Sequence, residues 1–157
     1  FGTPTYCYSE AKIKENIFKF KKNFKQINPL ICFSVKSNNN LQILKIIKKN
    51  NLGADVVSKG ELMISLKAGI SPNKIVYSGV GKTYEDIIYA VNKKILLINA
   101  ESENELKLIE LIAKKKNKIV DVGIRLNPNI DALTNSKIST GRNIDKFGVD
   151  KNSLIKN

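Results

Sequence analysis

Residues 95–106 read Ile95-Leu96-Leu97-Ile98-Asn99-Ala100-Glu101-Ser102-Glu103-Asn104-Glu105-Leu106. The first half is a strand-length apolar run. The second half carries Ser-x-x-Glu, in which a serine caps a helix and a glutamate three residues on answers it. A strand followed at once by a capped helix over 102–115 is one βα unit, and the same grammar recurs along the chain. β-branched apolar runs at 30–35, 54–57, 74–78, 95–100 and 119–126 predict five strands. Leu41, Leu44, Ile47 and Lys48 mark a helix after the first, with apolar positions every three or four residues. A helix over 61–68 ends at Gly69, a residue suited to the position after a helix. Another, over 83–91, opens at Thr83 with Glu85 and Asp86 favourably placed against the helix dipole. Ahead of these units the spacing predicts a short strand at 5–9. An amphipathic helix over 10–24 then follows, with Ile13, Ile17, Phe20 and Phe24 on one face.

Strands that are apolar on both faces fit a parallel sheet covered by helices. Such a sheet is built either as a closed barrel or as an open doubly wound sheet. Regular short units without a dinucleotide fingerprint favour the barrel, but the pattern alone leaves both open. An eight-stranded barrel takes about 250 residues, and this chain has 157. The expectation is therefore an incomplete barrel holding about the first five βα units. Residues 127–146 form a long polar loop after the fifth strand, and 150–157 look like the first turns of a helix.

Composition narrows the function classes. No apolar run is long enough to span a membrane, and the first residues lack the features of a signal peptide, so a cytoplasmic protein is expected. Cys7 and Cys32 lie in strand-like runs and are expected as free buried thiols. They are not spaced as metal ligands, and the chain has no histidine to complete a zinc set, so no metal is expected. The net charge of +13 raises the question of nucleic acid. Its make-up argues against that partner: all basic residues except Arg125 and Arg142 are lysine, accompanied by an excess of Asn and Ile. Such lysines are solvated outer faces of helices, without the interleaved aromatics of a basic binding patch.

Lysine-based chemistry is what remains. Lys36 ends Ile31-Cys32-Phe33-Ser34-Val35-Lys36 and begins the polar turn Ser37-Asn38-Asn39-Asn40. In a parallel barrel the active site lies at the carboxyl ends of the strands. A lysine there, partly desolvated by apolar neighbours, suits an amine that has to be unprotonated to form a Schiff base. A solvated surface lysine fits the same position. Asp55 interrupts the next β-branched run, where an unpaired carboxylate is costly to bury. It could pair with Lys36 or stand by a cofactor, and an edge or loop carboxylate is the alternative. Arg125 sits in the fifth run, where the planar fork of donors or a buried ion pair would explain it equally. Ser78-Gly79-Val80-Gly81-Lys82-Thr83 approaches a triphosphate-binding loop, but Val76 stands where the leading glycine belongs.

Taken together, these segments resemble the diaminopimelate decarboxylases, within the pyridoxal-phosphate-dependent (fold type III) decarboxylases of ornithine, diaminopimelate and arginine. The opening Gly2-Thr3-Pro4-Thr5-Tyr6-Cys7-Tyr8-Ser9 is similar to the family's first strand, and Phe33-Ser34-Val35-Lys36-Ser37-Asn38 to its cofactor-lysine motif. Residues 53–62, 74–83 and 98–106 follow the next three strand ends in order. Arg125-Leu126-Asn127-Pro128, Ile138-Ser139-Thr140-Gly141 and Lys146-Phe147-Gly148 complete the series, which displaces the triphosphatase reading. The resemblance implies an α/β barrel holding pyridoxal 5′-phosphate, residues 10–157 being its amino-terminal portion. Residues 1–9 would be a strand associated with a β-domain made mostly from later chain. It implies Lys36 as the Schiff-base lysine, with Asp55 and Arg125 as looser carry-overs around the cofactor. Lys146-Phe147-Gly148 would lie near the site without an assigned role. The implied reaction is decarboxylation of meso-2,6-diaminopimelate to L-lysine and carbon dioxide, in a homodimer with shared active sites. The ring-stacking histidine, the glycine-rich phosphate site and the acid facing the pyridine nitrogen would come from residues beyond Asn157. As an isolated polypeptide this stretch would therefore be inactive. An ornithine or arginine decarboxylase, or a barrel that binds the cofactor without turnover, are the other readings.

Overall fold

The computed structural model describes residues 1–130, 133, 140, 141 and 147–150. Lys146, Ser139 and the helical turns expected at 151–157 lie outside the described residues, as does most of the 127–146 loop. Helix α1 (Glu10–Asn23) precedes, among the described residues, four βα repeats and a fifth strand: β1 (Cys32–Ser34), α2 (Leu41–Lys49), β2 (Gly53–Val56), α3 (Lys59–Lys67), β3 (Ile75–Tyr77), α4 (Tyr84–Lys93), β4 (Leu97–Ala100), α5 (Glu103–Lys116) and β5 (Val122–Ile124). All five strands are parallel, in the order β1-β2-β3-β4-β5. A doubly wound sheet reverses its strand order at a switch point. Here the order never reverses, so right-handed crossovers lay the helices on one face and leave the other for a barrel interior.

Alternation along the strands decides which residues meet the helices. Ala54, Val56, Ile75, Tyr77, Ile98 and Ala100 point to that side and are buried against Leu44, Ile47, Leu62, Ile87, Ile109 and Ile112. Burying each large aliphatic side chain contributes about 1.5–3 kcal/mol. This row therefore holds the layers together. The opposite row, Asp55, Ser78 and Asn99, is half-buried.

Each helix starts on a side-chain cap. Ser9, Asn40, Ser58, Thr83 and Ser102 accept from backbone N–H groups of the first turn of α1 to α5 in order. At α4 the cap is reciprocal, because Asp86 accepts from the Thr83 N–H. In α1, Ile13 and Ile17 pack on the core, while Phe20 and Phe24 stack at 4.9 Å on the exposed continuation of that face.

Three expectations are corrected. Residues 5–9 form no strand, because no neighbouring strand among the described residues offers them a ladder; Ser9 instead caps α1. Cys7 on that segment is exposed, whereas Cys32 is half-buried; both are free. The fifth run is not one strand: β5 stops at Ile124, and β6 (Leu126–Asn127) pairs in parallel with β7 (Val149–Asp150). Arg125 is the junction, its N–H donating to Ala100 O at 3.0 Å and its carbonyl accepting from Val149 N at 2.8 Å.

Two measurements check this packing. A Cβ at Gly53 would stand 2.2 Å from Lys74 O and 2.8 Å from Cys32 Sγ. Gly53→Ala is expected to destabilise the fold by about 1–3 kcal/mol, read from the urea midpoint. Burial first, and then the Asp55 carboxylate, push the Cys32 thiol above its ordinary range. Less thiolate at a given pH means slower alkylation, so at pH 8 iodoacetamide should modify Cys7 at least about tenfold faster than Cys32.

Candidate functional site

The carboxyl ends of the strands converge on a cavity of about 700 Å³ whose lining includes Lys36, Asp55, Ser78, Asn99, Glu101 and Arg125. Register explains the convergence. Asp55 pairs with Val76, Val76 with Leu97, and Asn99 with Gly123. Residues two further along each strand keep the same face. Asp55, Ser78, Asn99, Glu101 and Arg125 therefore all point to the side away from the helices.

Lys36 sits in a single 3-10 turn, Val35–Ser37, directly after β1. Val35 is fully buried and anchors the turn, which closes through Asn38 N to Val35 O at 3.0 Å and Ser37 Oγ to Ser34 O at 2.7 Å. The expected desolvation of Lys36 is not found: Val35 takes the inward position, and Lys36 lines the cavity as an exposed residue. Asp55 shares the cavity but forms no ion pair with Lys36. It accepts from Ser78 Oγ at 2.7 Å, and Asn99 Nδ2 donates to the same hydroxyl at 3.1 Å. The neighbouring Gly123 leaves room for this amide: a Cβ there would lie 2.3 Å from Asn99 Oδ1 and displace it.

Of the two explanations that its position allowed, an ion pair is present for Arg125. Its Nη1 lies 3.2 Å from Glu101 Oε2 in an ion pair, and its guanidinium carbon lies 4.8 Å from the centre of the Phe147 ring. Phe147 also lines the cavity, which gives the Phe147-Gly148 segment a place beside the site. Glu101 is the acid that sequence reasoning missed. Its side chain is 3% exposed, and its Oε1 accepts the Gly79 N–H at 2.9 Å. The signal was there: an acid stands between a strand and its cap serine, where the matching βα unit has Val57 before Ser58.

The near-match to a triphosphate loop is set aside by geometry as well. The Lys82 ammonium turns inward and donates to Gly79 O, Asn99 O and Glu105 Oε1, at 2.6, 2.8 and 2.9 Å. No donor is left for a phosphate. Among the described residues no His/Cys/Asp/Glu group could hold a metal ion, and no helix is long and apolar enough to cross a membrane.

Residues 10–156 match the family model described as pyridoxal-dependent decarboxylase, pyridoxal binding domain. Diaminopimelate decarboxylase of Helicobacter pylori strain J99 is 46% identical over 155 residues, covering 99% of this chain and 38% of that protein. The crystal structure of diaminopimelate decarboxylase from Helicobacter pylori complexed with L-lysine superposes with a TM-score of 0.96. Its identity is 45%, over 99% of this chain and 40% of that one. Arginine decarboxylase of Paramecium bursaria Chlorella virus superposes at 0.74 with 21% identity, over 92% of this chain and 36% of that one. That last likeness is one of fold alone. The chain thus spans about two fifths of the length of the relatives it matches. The choice between barrel and open sheet falls to the barrel, of which this is part.

Glu101→Gln keeps an acceptor for Gly79 N–H but removes the charge facing Arg125. A hydrogen bond to a charged group contributes about 1.5–3 kcal/mol. The Arg125 side chain is 38% exposed, so solvent screening puts the expected loss near about 1 kcal/mol. Thermal unfolding of the variant against the parent measures it.

Proposed function

Because the chain belongs to the pyridoxal-dependent decarboxylases, as their pyridoxal-binding domain, we propose that the whole protein converts meso-2,6-diaminopimelate to L-lysine and carbon dioxide. Lys36 is the covalent anchor of pyridoxal 5′-phosphate in this reading. The observation that carries it is the convergence of the Lys36 amine, the Asp55 carboxylate and the Arg125 guanidinium on one cavity at the carboxyl ends of parallel strands.

The donor set suits the cofactor. Lys36 is exposed, lines the cavity and makes no ion pair with the described residues, so its nitrogen is placed to bond an aldehyde carbon. Asp55 presents an acceptor whose direction is fixed by Ser78, which in turn is held by Asn99. Arg125 presents a planar cation whose orientation is set by Glu101 on one side and the Phe147 ring on the other. Gly79 and Gly81 add lining with no side chain to obstruct a flat ring. When bound, pyridoxal phosphate supplies the electron sink for the pair left by a departing carboxylate. The residues of this chain hold and orient: Lys36 by its covalent bond, Asp55 and Arg125 by charge and hydrogen bonding.

The substrate assignment follows the relatives. Those named diaminopimelate decarboxylase reach 46% identity, and L-lysine, the product of the proposed reaction, is the molecule bound in the Helicobacter pylori structure. Arginine decarboxylase shares the fold at 21% identity. The same reading makes the whole protein a cytoplasmic homodimer with shared sites. It also has residues 1–9, exposed here, pairing as a strand with a β-domain of the whole protein.

Borohydride reduction of the full-length protein with pyridoxal phosphate should fix the label on the peptide carrying Lys36. Lys36→Ala should remove that label and lower carbon dioxide release from meso-diaminopimelate by at least about 10²–10⁴-fold, the scale of one catalytic group. A label on another lysine overturns the assignment of Lys36. A label on Lys36 without turnover of diaminopimelate, ornithine or arginine makes the protein a binder only.

A further inference from the structure

Lys82 lines no part of the cavity, yet its side chain is 0% exposed and carries a charge. A buried ammonium is costly unless every donor is met. Here all three donors of the ammonium are used, on Gly79 O, Asn99 O and Glu105 Oε1. The Tyr77 ring lies 5.7 Å beneath the ammonium. Burial, with Asp86, Glu61 and Glu105 adding to it, pushes the Tyr77 phenol well above its ordinary range, so the ring stays neutral under the cation.

The partners of Lys82 close a ring. Glu105, 10% exposed, accepts from Lys82 on Oε1 and from the Glu101 backbone N–H on Oε2, the latter at 2.7 Å. The Glu101 carboxylate accepts from Gly79 N–H. The Gly79 carbonyl returns to Lys82. Gly79 adopts φ +99°, a conformation that presents its N–H to Glu101 and its carbonyl to Lys82. Glu101 is therefore gripped at its backbone through Glu105 and at its carboxylate through Gly79, and Lys82 holds both grips. Arg125 hangs from this ring by its pair with Glu101.

We propose that Lys82 is a positioning residue of the cofactor cavity: through Glu105, Gly79 and Glu101 it sets where the Arg125 guanidinium stands. The proposal rests on the reading of the cavity as the pyridoxal phosphate site only for its consequence in affinity. The coupling of Lys82 to Arg125 is testable without that reading.

The test uses the full-length protein as parent, Lys82→Met, Arg125→Lys and the double variant. Phenylglyoxal modification of Arg125, followed by peptide mapping, reads the coupling in the absence of cofactor. Lys82→Met should raise the Arg125 modification rate several-fold and leave Cys32 alkylation, on the far strand β1, unchanged. Pyridoxal phosphate affinity of the apoprotein reads the consequence. Each single variant should weaken it by about tenfold, and the double by little more than either, as residues acting through one another do. If Lys82→Met fails to fold because it orphans the buried Glu105 charge, Lys82→Met/Glu105→Gln removes that charge and serves in its place. Arg125 reactivity unchanged, or rising together with that of Cys32, overturns the proposal, since the second result is general loosening. Additive losses of affinity overturn it as well. If the parent binds no pyridoxal phosphate, the cofactor reading fails, and the phenylglyoxal result still decides the coupling.

Discussion

One constraint organises this chain: each strand has two faces, and the crossovers between strands always return on the same one. The face toward the helices takes Ala54, Val56, Ile75, Tyr77, Ile98 and Ala100 into a continuous apolar layer. The other face is freed from packing duty and carries Asp55, Ser78 and Asn99, continuing past the strand ends to Glu101 and Arg125. The core and the site are thus two sides of one alternation. A residue moved by one position in any strand would exchange them.

The turn from strand to helix is built by one recurring device. Val57-Ser58-Lys59-Gly60-Glu61 and Glu101-Ser102-Glu103-Asn104-Glu105 place a serine cap at the same offset from a glutamate. In both, the glutamate side chain reaches back to the N–H four residues earlier, Glu61 to Val57 at 2.9 Å and Glu105 to Glu101 at 2.7 Å. The helix therefore starts where the strand stops, and the residue between strand and cap serine is held in place. At the second copy the residue so fixed is an acid, and the local cap becomes part of a charged network reaching Arg125.

The fold was largely legible, because it depends on patterns that a linear reading captures. Apolar runs, cap residues and the glycine after α3 located five strands and five helices within a few residues of where they lie. The strand expected at 5–9 failed because a strand is a property of a pair, and no described neighbour is present for it. Of the site, Lys36, Asp55 and Arg125 all reach the same cavity. Their partners were not legible. Ser78 reaches Asp55 across 23 positions and Arg125 reaches Glu101 across 24, distances at which only strand register decides who meets whom. Lys82 was harder still: nothing in Gly79-Val80-Gly81-Lys82-Thr83 says that the lysine turns inward.

The junction at Arg125 has a consequence for which residue can stand at position 148. Its amide is tied to Ala100 and its carbonyl to Val149, and Asn127 Nδ2 donates to Phe147 O at 2.9 Å. Both ends of the intervening stretch are therefore fastened to the same few atoms. Gly148 stands where these ties meet. It sits at φ +79°, and a Cβ there would stand 2.8 Å from the Arg125 carbonyl. At this junction a single position has its residue dictated by the backbone around it.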